Sequence, residues 1–429
     1  MKLLPLLAAF FLSTLTLVGG CSRGESNVTT VDFWGIGSEG EQVQQLMPEF
    51  ERANPGIHVR VQQIPWNAAH ERLLTAFAGD ATPDMCQLGN TWIPEFAALN
   101  ALEPLDGVVK DSKSVQSDDY FPGVWETNRV EGHTFGIPWY ADTRILFYRK
   151  DVLAAAGYDK PPKTWDEWLA AMRKIKQAVG KDRYAILIPT NEWEQPTIFA
   201  LQTGSQMLRD NDRYANFESP DFRRGFEFYI GLFNEGLAPD VRNTEISNVW
   251  EEFARGYFAM YVTGPWNIGE FHRRLPPEMQ DKWATAVLPR PAGSAHSISQ
   301  AGGCGLVIFK RSKHQDAAWK LIEFLSEPAH QVRFYELTGN LPPRKSSWEL
   351  GKLGADPKMA SFFEQLKYVV PLPRVPEWEQ ITTKIMQEGQ LAIAGQITMD
   401  DALATLNREV NGLLDKRRWM LARHDSQHE

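Results

Sequence analysis

The chain has 429 residues, of which 43% are hydrophobic and 23% charged, and a formal net charge of −9. This is ordinary globular composition, which excludes a largely disordered, collagen-like or multi-span membrane protein, and at ~150 residues per domain the length predicts about two to three domains. The acidic balance argues against a basic stripe for nucleic acid, while 15 tryptophans supply large rings that either fill cores or stack on flat apolar ligand faces.

Met1-Lys2 precedes an apolar run from Leu3 to Val18, followed by Gly19-Gly20-Cys21. A positive end, an apolar centre and small residues before the cut describe an export leader over 1–20. Residues 21–28 read as a polar tether. Leu17-Val18-Gly19-Gly20-Cys21 resembles a bacterial lipobox, which implies lipid on the Cys21 thiol and cleavage before it; an ordinary signal peptide or anchor with a chance cysteine is the alternative. The protein is thereby expected in the periplasm or on the extracytoplasmic face of the membrane. Cys86 and Cys304 each sit in an apolar stretch and read as two buried free thiols, not a disulfide framework.

Thr30 to Trp34 reads as a strand. Val43, Leu46, Met47 and Phe50 then fall at helical spacing within 40–53, and Asn54-Pro55-Gly56 ends that helix. A strand over 57–62, a helix over 68–78, a strand over 84–88 and a helix over 92–99 follow. This alternation predicts a parallel sheet with crossover helices. A second region begins near Ile137-Pro138-Trp139 and includes a strand over 145–148. Thr164-Trp165-Asp166-Glu167 is a capping box; its helix places Trp165, Trp168, Leu169, Met172 and Ile175 on one buried face and stops at Gly180. A helix over 222–233, a helix end at 250–256, a strand over 257–262 and a turn at Gly264-Pro265-Trp266 come next. Gly302-Gly303 precedes a buried strand ending at Phe309, and the chain beyond the loop Gly339 to Arg344 is largely helical.

Gly35, Gly37 and Gly40 match the dinucleotide fingerprint after a strand, but the second strand closes on Val61-Gln62-Gln63-Ile64-Pro65. That region lacks the acidic residue a ribose hydroxyl needs. The glycines therefore read as a turn at a strand's carboxyl end, where open α/β sheets bind ligands. The histidines are scattered, with no HExxH and no paired CxxC, so no metal and no cofactor is expected. GxSxG is absent. Aromatic residues beside planar polar groups recur in loops after strands: Trp34 before Ser38 and Glu39, Asn90-Thr91-Trp92, Trp139-Tyr140 with Asp142 and Arg144, Glu192-Trp193-Glu194, Trp266-Asn267, and Trp378 between two glutamates. Sugars expose apolar C–H faces and hydroxyl rims, and this mixture of rings and planar polar groups matches them.

Phe33-Trp34-Gly35, the run from Phe50 to Ile57, Thr82-Pro83-Asp84-Met85, Gly136-Ile137-Pro138 and Phe147-Tyr148 are weak strings singly. So are Pro162 to Glu167, Gly256 to Met260 and Gly264-Pro265-Trp266. In this order behind a lipobox, the mature chain resembles the family 1, maltose-binding-protein-like extracellular solute-binding proteins of ABC sugar importers. The resemblance implies an α/β, type II periplasmic-binding-protein-like fold: two α/β lobes with a hinge and an interlobe cleft. One lobe is expected at 29–138 plus 298–342, the other at 139–297 plus 343–429. It implies a non-catalytic monomer that hands an oligosaccharide to membrane-embedded permease subunits.

Carried over by position, Ser38, Glu39, Asn90, Thr91 and Trp92 would line one wall, Tyr140, Asp142 and Arg144 the lobe junction, and Trp266 and Asn267 the other wall. Gly302, Gly303 and Arg344 would close the site, and Asp84 would be structural. Glu192 and Trp378 are further contact candidates; Trp34, Trp139 and Trp193 are further stacking candidates. A di- or trisaccharide is expected, with an α-glucoside such as maltose or trehalose first. A receptor for a non-sugar solute such as a glycerol-phosphate ester or a peptide, with Arg144 and Arg344 pairing an anion, and an extracytoplasmic glycoside hydrolase stay open as alternatives.

Overall fold

A computed structural model describes residues 28–425. The leader, Cys21, nearly all of the tether and His428 lie outside the described residues. Two sheets organise the chain. The first contains β1 (Thr29–Ile36), β2 (Ile57–Ile64), β3 (Met85–Gly89), β4 (Gly136–Asp142) and, much later, β9 (Gly302–Ile308), in the order β2-β1-β3-β9-β4. The second contains β5 (Ile145–Arg149), β6 (Tyr184–Leu187), β7 (Phe258–Thr263) and β8 (Trp283–Ala286), in the order β8-β5-β7-β6. The architecture is mixed α/β, with helices packed around two principal sheets.

The expected parallel arrangement holds for β1 against β2 and β3. It does not extend across the whole sheet, because β9 runs antiparallel to both β3 and β4. Helices cover both faces of this sheet, so β3 is buried throughout: Met85 joins one apolar cluster, while Cys86 and Leu88 join the cluster on the opposite face. That is the pattern of a strand with no solvent face. Pairing of β4 with β9 continues through Asp142, past the expected lobe junction at 138/139. The chain passes from the first sheet to the second at Thr143 and Arg144.

Local chemistry sets several of these elements. Gly35 and Gly40 let the first turn of the helix Gly37–Gln42 sit directly on β1: a Cβ on Gly40 would lie 2.6 Å from the Gly35 carbonyl oxygen. The fingerprint-like glycines therefore serve close backbone packing. Thr164 caps the helix Trp165–Val179 by accepting from the Glu167 N–H at 3.2 Å, and Glu167 Oε2 accepts from the Thr164 N–H at 3.3 Å. As expected, its face buries Trp165 and Trp168; the Trp165 ring stacks on Phe228 at 4.1 Å. Asp84 is structural, accepting from the Asp32 N–H at 2.8 Å and the Ser312 hydroxyl at 2.6 Å. Cys86 and Cys304 are buried and unpaired.

The crossing segments are tied to one another. The Thr143 hydroxyl donates to the Gln300 carbonyl at 2.9 Å, and the Ser299 hydroxyl donates to the Arg144 carbonyl at 3.0 Å. Ser299–Gln300 pairs in parallel with Val369–Val370. Among the described residues, no helix is long and apolar enough to cross a membrane.

Candidate functional site

A cleft of about 380 Å³ opens between the edges of the two sheets. Its first wall comes from residues that follow β1, β2 and β3. Glu39, in the first turn after β1, is buried and accepts from Asn340 Nδ2 at 2.9 Å. After β3, Asn90 donates its side-chain amide to the Ala301 carbonyl at 3.0 Å and its backbone N–H to Gly303 at 3.1 Å. Thr91 and Trp92 continue that wall. Trp66 heads the helix after β2 and meets Trp92 edge-to-face at 5.9 Å. His70 packs on Trp92 at 5.0 Å and pairs through Nε2 with Glu95 at 2.6 Å.

The floor is a chain of buried polar groups. Gln87 Oε1 accepts the Ile36 N–H at 2.8 Å, Gln87 Nε2 donates to the Tyr140 hydroxyl at 3.1 Å, and that hydroxyl donates to Cys304 Sγ at 3.0 Å. Burial pushes the Tyr140 phenol well above its ordinary pKa and the Cys304 thiol up to about 12. Both groups therefore stay neutral at physiological pH. Gly303 has φ +119°, and a Cβ there would lie 2.2 Å from the Tyr140 carbonyl oxygen. A side chain at this position would force β9 away from β4.

The opposite wall presents the Trp266 face, 42% exposed, with Trp193 and Glu194. Arg144 supports it from behind. Its guanidinium lies 4.7 Å from the Trp266 ring centre, binds both Asp142 oxygens at 2.9 and 2.7 Å, and reaches Glu194 at 2.6 Å. Burial raises the Asp142 carboxyl above its usual range despite Arg144 beside it. Arg144 thus fixes two carboxylates and one aromatic plane at the lobe crossing.

Glu39, Asn90, Thr91, Trp92, Tyr140, Asp142, Trp266, Gly302 and Gly303 all line the cleft, as does Trp193. Other expected site residues lie elsewhere. Ser38 is exposed and turns its hydroxyl to Glu39 at 3.3 Å. Arg144 stands behind the wall. Asn267 is 2% exposed and spent on Trp250 and Thr263, at 2.9 and 2.8 Å. Arg344 is bound to Asp119 at 2.6 Å and to the Ser114 and Ser326 carbonyls at 2.7 and 2.6 Å. Glu192 accepts from Gln195 at 2.7 Å, outside the lining; its carboxyl is raised by burial and by Glu194.

Trp378 is fully buried, edge-to-face behind Trp193 at 6.1 Å. Trp139 is also core, stacked on Phe334 at 4.3 Å, and Trp34 lines a separate surface groove under Arg72. Buried rings of this kind serve packing, which outweighs their position near a strand end. Trp266 begins the helix Trp266–Arg274 and is not part of a turn.

Trp66, Gln300 and Asn340, not among the expected site residues, also line the cleft. Trp66 stands directly after β2, so the strand-end rule would have found it. Gln300 has no local signal. Among the described residues, no cluster of His, Cys, Asp or Glu could hold a metal ion.

Residues 35–332 match the family model of bacterial extracellular solute-binding proteins. The sugar-binding protein MalE from the phytopathogen Xanthomonas citri is 51% identical with a TM-score of 0.89, covering 92% of this chain and 99% of that one. The maltotriose-binding protein of Pyrococcus abyssi is 25% identical, over 78% of this chain and 70% of its own. The sn-glycerol-3-phosphate-binding periplasmic protein of Salmonella paratyphi A is also 25% identical, over 90% of this chain and 93% of its own. The chain therefore belongs to the bacterial extracellular solute-binding protein family, whose members bind solutes and are not enzymes.

Proposed function

We propose that the protein is the extracytoplasmic receptor of an ABC sugar importer, lipid-anchored through Cys21 and acting as a monomer. It binds a short neutral oligosaccharide between its lobes and delivers it to the permease by hinge closure. The two lobes meet at the crossing through Thr143 and Arg144 and at the later crossings near 298 and 342. The observation that carries this reading is the cleft's composition. Trp66, Trp92, Trp193 and Trp266 surround the carboxylates of Glu39, Asp142 and Glu194 and the amides of Gln300 and Asn340. Rings take the C–H faces of pyranoses, and carboxylates and amides accept from their hydroxyls. At about 380 Å³ the cleft lies at the low end of the ~300–1,000 Å³ typical of small-molecule sites, which suits a disaccharide, with maltose and trehalose as first choices.

A phosphate ester is the second reading, supported by the glycerol-phosphate-binding relative. The charge distribution favours the neutral sugar: among the described residues, the lining contains no lysine or arginine and three carboxylates. Arg144 and Arg344, the two expected anion partners, are both held in internal ion pairs. Calorimetric titration with maltose, trehalose, sucrose, longer α-glucans and sn-glycerol 3-phosphate tests the assignment. Saturable binding of a disaccharide and none of the phosphate ester supports it; the reverse pattern assigns the protein to the second reading.

A further inference from the structure

Behind the sugar cleft lies a second groove of about 590 Å³, and Leu372 borders both. A small recess of about 10 Å³ also has Leu372 in its wall. It shares Asn90, Thr91 and Ala301 with the cleft, and Pro371, Pro373 and Arg374 with the groove. Leu372 is the residue common to the linings of all three spaces.

The segment that carries it is pinned at both ends. On one side the Ala301 N–H donates to the Val370 carbonyl at 2.8 Å, and Gln300 pairs with Val370 in the crossing ladder. On the other, Arg374 Nη1 donates to the Glu126 carbonyl and Glu126 Oε2, both at 3.0 Å, and to the Arg129 carbonyl at 3.1 Å. Pro371 fixes its own φ, and Pro373 restricts the residue before it to extended backbone. Leu372 itself is 7% exposed and packs into the core of the second lobe. A rigid backbone and a packed side chain make a wall, not a flap.

The far groove is lined by polar side chains beside apolar ones. Asp210, Asn211 and Asp212 hold three successive left-handed conformations, φ 57°, 56° and 59°. They line the groove together with Arg209, which pairs with Asp210 at 2.5 Å, and with Leu201 and Met207.

We propose that Leu372 sets the ligand length: it ends the cleft after a short oligosaccharide and closes off a groove that would hold further sugar units. This inference rests on the sugar reading above. Calorimetry of the wild type and Leu372→Ala with maltose, maltotriose and maltotetraose tests it. The alanine variant should gain roughly tenfold in affinity for maltotetraose relative to maltose, while Leu372→Met, which retains the volume, keeps the wild-type preference. An unchanged chain-length preference in Leu372→Ala overturns the inference and leaves the sugar reading intact. Failure of the wild type to bind any of the three glucans, or the disaccharides above, defeats the sugar reading instead. Should Leu372→Ala lose its cooperative melting transition, Leu372→Val, shorter by one methylene, poses the same question.

Discussion

Trp266 and Trp378 occupy similar sequence settings, each at the start of a helix beside polar residues, and end in opposite environments. Trp266 offers an exposed face to the cleft over Arg144, whereas Trp378 is fully buried behind Trp193. Losing the Trp266 ring should cost about 1.5–3 kcal/mol of sugar binding, roughly 10- to 100-fold in Kd, with little change in melting temperature. Trp378→Ala should instead lower folding stability by about 3–5 kcal/mol. Titration and thermal melting of the two variants separate these outcomes.

His70 titrates beside the same wall. Its hydrogen bond to Glu95 raises its pKa above the ordinary value of ~6.5, with burial opposing. Protonated His70 therefore stabilises the fold fully below that ordinary value, and the contribution is lost as pH rises through the raised folded value. The melting temperature of the wild type should fall relative to that of His70→Gln across this window; parallel curves would exclude the effect.

At the scale of elements, the informative place is the turn between β4 and β5. The family resemblance implied a place for Arg144 at the lobe junction, and in the structure its guanidinium holds Asp142 and Glu194 together there. Arg144→Met would leave two partly buried carboxylates without their cation, at a cost of about 3–5 kcal/mol in a denaturant titration. The deficit should shrink toward acid pH, because protonation removes the uncompensated charge and burial already raises the Asp142 carboxyl. The strands and helices around this turn were legible because their periodicity and caps are local properties: the capping box at Thr164 and the apolar face behind it are examples. The direction of β9 was not legible. A strand carries the same alternation whether it enters a sheet parallel or antiparallel, and only the path back from the second sheet fixes its sense.

Across the whole molecule, two sheets joined by hydrogen-bonded crossings suit a receptor that closes on its ligand. Adding a bound disaccharide should reduce the radius of gyration in X-ray scattering, and Gly303→Ala, which cannot preserve the β4–β9 approach, should weaken both binding and closure. No change in scattering on saturation would count against hinge closure. The sequence alone determined the alternation of elements and the placement of Glu39, Asn90, Trp92 and Trp266 after strand ends, because these follow from local patterning and the position of loops at sheet edges; the two lobes were implied by the family resemblance, and Asp142 lies within β4 itself. Only the tertiary structure decided which tryptophans face the cleft, that Arg344 and Asn267 are committed to internal partners, and that Trp66, Gln300, Asn340 and Leu372 complete the walls. Burial and partnership depend on residues far apart in the chain, and no local signal in a single sequence carries them.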